Sequence, residues 1–213
     1  MRLAAPGSAM TTFELSSALG LFVRRDFLPP PLCARASRRM RAAPGLDVTA
    51  GGNASEQARA ALCVAPEAAV GEAVAGRLRE VLPAVAAHFR VELAGVAQPR
   101  FLRYDKGDFL AFHRDRDDLS GAPAGGPRQV TAVLFLNAEA ERPGEGRYGG
   151  GALEFYLPDL LPHAGYERAR FSFPARPGTL VAFDARVRHQ VRPVTHGQRH
   201  TVVTWFQEGS AAT

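Results

Sequence analysis

The chain is short of lysine and of cysteine: Lys106 is its only lysine among 26 basic residues, and Cys33 and Cys63 are its only cysteines. Two thiols cannot build the disulfide framework of a small secreted domain, so a reducing, cytoplasmic setting is expected. They lack the spacing of a metal motif and read as core residues. No apolar run approaches the roughly 20 residues of a membrane span. Near the start, Pro6, Thr11, Thr12 and Glu14 interrupt any apolar signal core, so no signal peptide is expected. Met10 offers an alternative start, which would make residues 1–9 a disordered extension. Arginine in place of lysine, with abundant Ala, Gly and Pro, reads as a GC-rich genome as much as a binding surface. The formal charge of +5 can steer an anionic partner. The arginines form no dense cluster interleaved with aromatics, which sets nucleic acid aside as a partner.

What is present fits one domain. At 213 residues with a hydrophobic fraction of 46%, the chain can bury an ordinary core. Residues 19–28 read as a first strand and its exit, and Pro29 to Pro31 open a helix running to about Ala42. Residues 44–56 are rich in Gly, Asn, Thr and Ser and read as a loop. Residues 66–92 place Val70, Val74, Leu78, Val81, Leu82, Val85 and Phe89 near helical spacing, a long supporting helix with Pro83 as its kink site. From about residue 98, eight short β-rich runs alternate with Gly/Pro punctuation: 99–104, 109–113, 129–137, 151–157, 168–174, 178–184, 187–194 and 199–206. This predicts an α+β, mainly β chain, a sandwich or barrel. The expected division is a helical support region over 1–97 and a β core over 98–208, forming one compact unit.

One of these strands ends in His113-Arg-Asp115. Residues two apart on a strand share a face, so this imidazole and carboxylate can meet one ion. The motif alone also fits a solvated charged turn, since Arg116, Asp117 and Asp118 follow. His189, in Val-Arg-His-Gln-Val, is the best third ligand. Two His and one carboxylate on one face leave open positions, the facial triad of Fe(II) oxygenases. A hairpin loop over Thr195–Gly197, with Gly197 in the left-handed conformation, would pair Val194 with Gln198 and Pro193 with Arg199. Arg199 would then share the face of His189, about 13 Å along the strand. Its guanidinium fork suits a carboxylate. His200 should face the opposite way, His196 should sit at the loop tip, His163 in a loop and His88 on the long helix. Trp205 and Val203 read as core. Arg103 and Arg128 could bind substrate or form structural ion pairs.

Together these residues resemble the prolyl 4-hydroxylase-type 2-oxoglutarate/Fe(II)-dependent dioxygenases. The matching pieces are Arg-Tyr-x-x-Gly ending in His-x-Asp over 103–115, Arg128 and Thr131 leading into Leu-Phe-Leu-Asn at 134–137, Gly-Gly-Ala-Leu-Glu-Phe at 150–155, Pro-Gly-Thr-Leu-Val-Ala-Phe at 177–183, and His189-x-Val-x-Pro-Val with Gly197, Arg199 and Trp205. The resemblance implies a double-stranded β-helix (jelly-roll) core. It implies Fe(II) held by His113, Asp115 and His189, and the distal carboxylate of 2-oxoglutarate held by Arg199, with Tyr104 lining the pocket. It implies O2 as co-substrate, L-ascorbate as a sustaining reductant, and hydroxylation of a peptidyl or free amino acid, prolyl first, coupled to succinate and CO2 release. A small-metabolite oxygenase and a non-enzymatic cupin-like binding domain are the alternatives. Phe135 departs from the pattern: some members carry a tyrosine there whose hydroxyl meets the carboxylate. Thr201, inward in the same register, is the expected substitute. The residues over 116–128, 138–149 and 158–170 are expected to be loops around the site mouth, where specificity resides.

Overall fold

The computed structural model describes residues 16, 18–48, 58–59, 61–116, 128–162, 165 and 167–208. Strand β1 (Phe22–Arg24) comes first, followed by helix α1 (Pro30–Ala42). Pro30 and Pro31 suit its first turn, where a missing N–H costs nothing, and Arg39 and Arg41 sit in its last turn, where the helix dipole favours cations. Strands β2 (Gly45–Val48), β3 (Ala58–Arg59) and β4 (Ala61–Val64) lead to helix α2 (Ala68–Phe89). Its buried stripe is Val70, Val74, Leu78 and Val85. Pro83 lies inside α2 without ending it, and the helix closes at Arg90, whose φ of 56° is left-handed.

The remaining strands are β5 (Leu93–Val96), β6 (Arg100–Tyr104), β7 (Phe109–His113), β8 (Arg128–Phe135), β9 (Ala138–Glu139), β10 (Arg147–Gly150) and β11 (Leu153–Tyr156). A short helix α3 (Leu157–Leu160) follows, then β12 (Arg170–Phe173), β13 (Leu180–Asp184), β14 (His189–Val191), β15 (Val194–Gly197) and β16 (Arg199–Glu208). The main sheet runs β1-β13-β8-β16-β6-β4-β2, with β5 also on β16; the second runs β12-β11-β14-β7-β3; a small third runs β15-β10-β9. The first two sheets make the jelly-roll core.

Both faces of β8 are buried, which is why residues 130–136 read as a nearly unbroken apolar run. Ala132 and Leu134 face the helices, packing with Met40, Val74 and Leu78. Val133 and Phe135 face the second sheet, packing with Leu153, Phe155 and Phe173. The helices therefore brace the outer side of the strand whose inner side lines the site.

Several expectations are corrected. The segment 44–56 is not all loop, since β2 pairs with β4 there; residues 49–57 lie outside those described, as do residues 1–9, His163 and most of 116–128. The segment 138–149 holds β9 and β10. The run 187–194 is broken at Arg192-Pro193, and the hairpin pairing Val194 with Gln198 does not form. Instead β15 pairs with β10, Tyr148 opposite Gly197 and Gly149 opposite His196, so His196 lies in a strand and not at a loop tip. Glycine at 149 permits this approach, because a Cβ there would fall 2.0 Å from the His196 ring. Gly197 does take the left-handed conformation, at φ 67°, but it turns the chain from the small sheet into the main one.

Candidate metal and co-substrate site

His113 and His189 are paired neighbours on the adjacent antiparallel strands β7 and β14, their ring centroids 4.3 Å apart. Asp115 lies just past the end of β7, where its backbone N–H donates to the Ala185 carbonyl at 3.0 Å. Its carboxylate oxygens lie 3.5 Å from His113 Nε2 and 3.7 Å from His189 Nε2. The three potential ligand atoms fall within 4.8 Å of one another. Each imidazole is anchored on its other nitrogen: His113 Nδ1 to the Ala111 carbonyl at 2.9 Å and His189 Nδ1 to the Val187 carbonyl at 3.0 Å. A carbonyl can only accept, so Nδ1 carries the proton and the Nε2 lone pair is free for a metal. Thr131 Oγ1 donates to Asp115 Oδ2 at 2.7 Å from the main sheet.

The electrostatics ask for a cation. Burial raises the Asp115 carboxyl's pKa, but His189, His113 and the Thr131 hydroxyl outweigh it and hold the group well below the usual carboxylate range. Burial pulls His113 down, yet Asp115 carries it above its ordinary value. Burial, partly opposed by Asp115, brings His189 down to about 4, leaving it neutral at neutral pH. A buried carboxylate with two inward-turned imidazoles fits a divalent first-row metal, and this donor set suits Fe(II).

Arg199 lies deeper in the same interior. Its pairing with Tyr104 across β6 and the pairing of Thr201 with Phe135 across β8 put these four side chains on one face of the main sheet. Thr131 and Phe135 share that face of β8, four residues or about 13 Å apart. The triad end and the arginine end of the cavity are thus two points on one strand. That is room for a five-carbon diacid and an Arg side chain. Arg199 is 1% exposed and donates only through Nη1, to Thr201 Oγ1 at 3.3 Å; its Nε and Nη2 have no partner among the described residues. Its guanidinium lies 5.0 Å from the Tyr104 ring and 5.5 Å from the Phe135 ring. A buried cation with idle donors among aromatic rings fits a carboxylate ligand.

The sequence missed Tyr148, also fully buried here with an unpartnered hydroxyl. A lone aromatic just before three glycines was the available signal. Gly151, at φ 62°, makes room for both side chains: a Cβ would fall 2.9 Å from Arg199 Cδ and 3.4 Å from Tyr148 Cε2. Arg103 is structural, capping the end of α1 through the carbonyls of Met40 and Ala43 at 2.8 and 2.9 Å. His200 faces away from Arg199, buried, its backbone N–H donating to Asn137 Oδ1 at 2.9 Å. His88 contacts the Gly20 carbonyl. Arg128 stacks 4.0 Å over Trp205 and reaches the Asp115 carbonyl at 3.4 Å. Both line a cleft of about 520 Å³ together with Arg100 and Phe101.

The sequence profile of the 2OG-Fe(II) oxygenase superfamily matches residues 99–207, half of the chain. The chain belongs to that family. Among curated relatives, a PKHD-type hydroxylase of Klebsiella pneumoniae (strain 342) is 34% identical over 113 residues, 53% of this chain and 44% of that protein. One from Sphingopyxis alaskensis is 30% identical over 115 residues, 54% of this chain and 45% of that protein. The aligned region thus spans under half of each relative. A Pseudomonas putida prolyl-4-hydroxylase structure matches with a TM-score of 0.63 at 23% identity, covering 92% of this chain and 100% of that one. A Trichoplax adhaerens prolyl hydroxylase, in complex with a hypoxia inducible factor oxygen degradation domain peptide fragment, matches with a TM-score of 0.61 at 15% identity, covering 93% and 94%. At these identities the structural matches establish the shared oxygenase fold. Among the described residues no helix is long and apolar enough to cross a membrane.

Proposed function

We propose that this chain is a 2-oxoglutarate- and Fe(II)-dependent hydroxylase acting on a peptidyl or free amino acid, with a prolyl residue as the leading substrate. One observation carries the reading: a cation-seeking cluster of two histidines and an aspartate shares an enclosed interior with a buried arginine whose Nε and Nη2 are idle. His113, Asp115 and His189 would hold the metal, and Arg199 the distal carboxylate of the co-substrate, with Tyr104 and Thr201 beside it. When bound, iron and 2-oxoglutarate would supply, with O2, an oxidant able to attack an unactivated C–H bond. The chain's own part is to fix the ligand tautomers, orient the diacid between two ends of one strand, and exclude water with the aromatic lining. Succinate and CO2 are the expected co-products. The cleft lined by Arg128 and Trp205 connects to the metal site through Arg128, which donates to the Asp115 carbonyl at 3.4 Å, and is the expected approach for substrate. The structural neighbours, described as prolyl hydroxylases, favour a prolyl substrate by analogy.

Two supporting readings go with this. The described residues of 1–97 and the 98–208 stretch form one unit, since β1, β2, β4 and β5 of the first belong to the main sheet of the core. The free thiols of Cys33 and Cys63 suit the cytoplasm.

The test is succinate formation by purified protein given Fe(II), 2-oxoglutarate and ascorbate, with prolyl peptides screened for the added mass of one oxygen atom. Asp115→Ala is expected to reduce succinate to background. Full turnover in that variant would sink the iron assignment. Oxygenation of small molecules from extract, with none in the peptides, would favour the metabolite reading.

A further inference from the structure

Two buried donors converge with nothing to donate to. Tyr148 is 0% exposed and its hydroxyl has no hydrogen-bond partner among the described residues, the same condition as Arg199 Nε and Nη2. Buried polar groups in folded proteins are nearly always satisfied, so clustered exceptions call for a ligand. The two side chains flank one residue, Gly151, whose lack of a Cβ lets both approach. The guanidinium also faces the phenol oxygen: burial pushes the Tyr148 phenol above its ordinary value, while the Arg199 charge and its side-chain approach to the hydroxyl pull against it. The phenol stays protonated at neutral pH and can donate. Thr201 Oγ1 accepts from Arg199 Nη1, and Phe135, its ring 5.5 Å from the guanidinium, has no hydroxyl to offer.

We propose that Tyr148 is a co-substrate-binding residue, its hydroxyl donating to the same distal carboxylate of 2-oxoglutarate that Arg199 grips. It supplies from β10 the hydroxyl that some relatives place on β8 at the position of Phe135. The inference rests on the co-substrate reading above and deepens it.

Calorimetric titration of 2-oxoglutarate into Mn(II)-loaded protein without oxygen tests it, using wild type, Tyr148→Phe, Tyr148→Phe with Phe135→Tyr, and Arg199→Ala. A hydrogen bond to a charged group corresponds to roughly a tenfold to hundredfold loss of 2-oxoglutarate affinity in Tyr148→Phe. Affinity for 2-oxobutyrate, which has no distal carboxylate, should be unchanged, and Phe135→Tyr should recover most of the loss. Because the phenol's proton has no acceptor among the described residues, the melting temperature of Tyr148→Phe should match or exceed the wild type's. An affinity within twofold of wild type, an equal loss for both acids, or a fall in melting temperature would each overturn the proposal. If Arg199→Ala binds 2-oxoglutarate like wild type, the co-substrate reading itself fails, whatever Tyr148→Phe does.

Discussion

Thr131 belongs to the main sheet, yet its hydroxyl donates across the interior to Asp115. That bond orients the carboxylate and turns its other oxygen toward His113 Nε2, 3.5 Å away, and such supporting partners are worth about tenfold to a hundredfold in metal affinity. Thr131→Val keeps the size and β-branching while deleting the donor. It should therefore weaken Mn(II) or Fe(II) binding by about tenfold to a hundredfold, measured by competition with a chelator. An unchanged affinity would leave Thr131 a packing residue. At this scale the sequence was most informative where local geometry decides. His113 and Asp115 converge because they lie two residues apart at a strand end, and His189 is set opposite them by pairing. Tyr148 was hidden because its role depends on glycines that let β10, β15 and Arg199 crowd together, a non-local fact whose one local trace is an aromatic before three glycines.

Glu154 joins three strands of the second sheet. From β11 it accepts from Ser172 on β12 at 3.1 Å, from Gln190 on β14 at 2.6 Å and from Arg192 at 3.2 Å. Burial raises its pKa, but these donors win and hold it below the ordinary value. A carboxylate depressed in the folded state stabilises the fold above its unfolded pKa of about 4.3, and that contribution drains away as pH falls through the lower folded value. Melting temperatures recorded from neutral down to about pH 3 should drop more steeply for wild type than for Glu154→Gln. Parallel curves would refute the assignment. Strand existence was legible from alternation and punctuation: β7 was placed to the residue. Partner choice was not. Arg199 does lie on the same face of the main sheet as Thr131, which meets Asp115, but through its pairing with Tyr104 on β6 and not through a hairpin with Pro193. The two routes agree on direction because side chains alternate along β16 whichever strand lies beside it.

In the molecule as a whole, α1 and α2 cover the outer face of the main sheet. Leu78, 1% exposed, packs in that layer against the outer faces of β8 and β16. Leu78→Ala should cost about 2–5 kcal/mol. For a chain of this size that lowers the melting temperature by about 4–20 °C. The variant that remains folded should bind metal normally, since the helices face away from the triad; lost metal affinity in folded protein, seen by calorimetry, would contradict this. The amphipathic stripe of α2 announced this layer from the sequence, whereas β2 to β5 went unread because they are short and take their stability from neighbours. The shared face of β8 has one more consequence. A strand neither stretches nor shortens, so the distance from Thr131 to Phe135 acts as a ruler between the two ends of the cavity. With one diacid held at both ends as proposed, it sets the length of acid the site can accept, and a diacid one carbon shorter or longer could reach one end only by releasing the other.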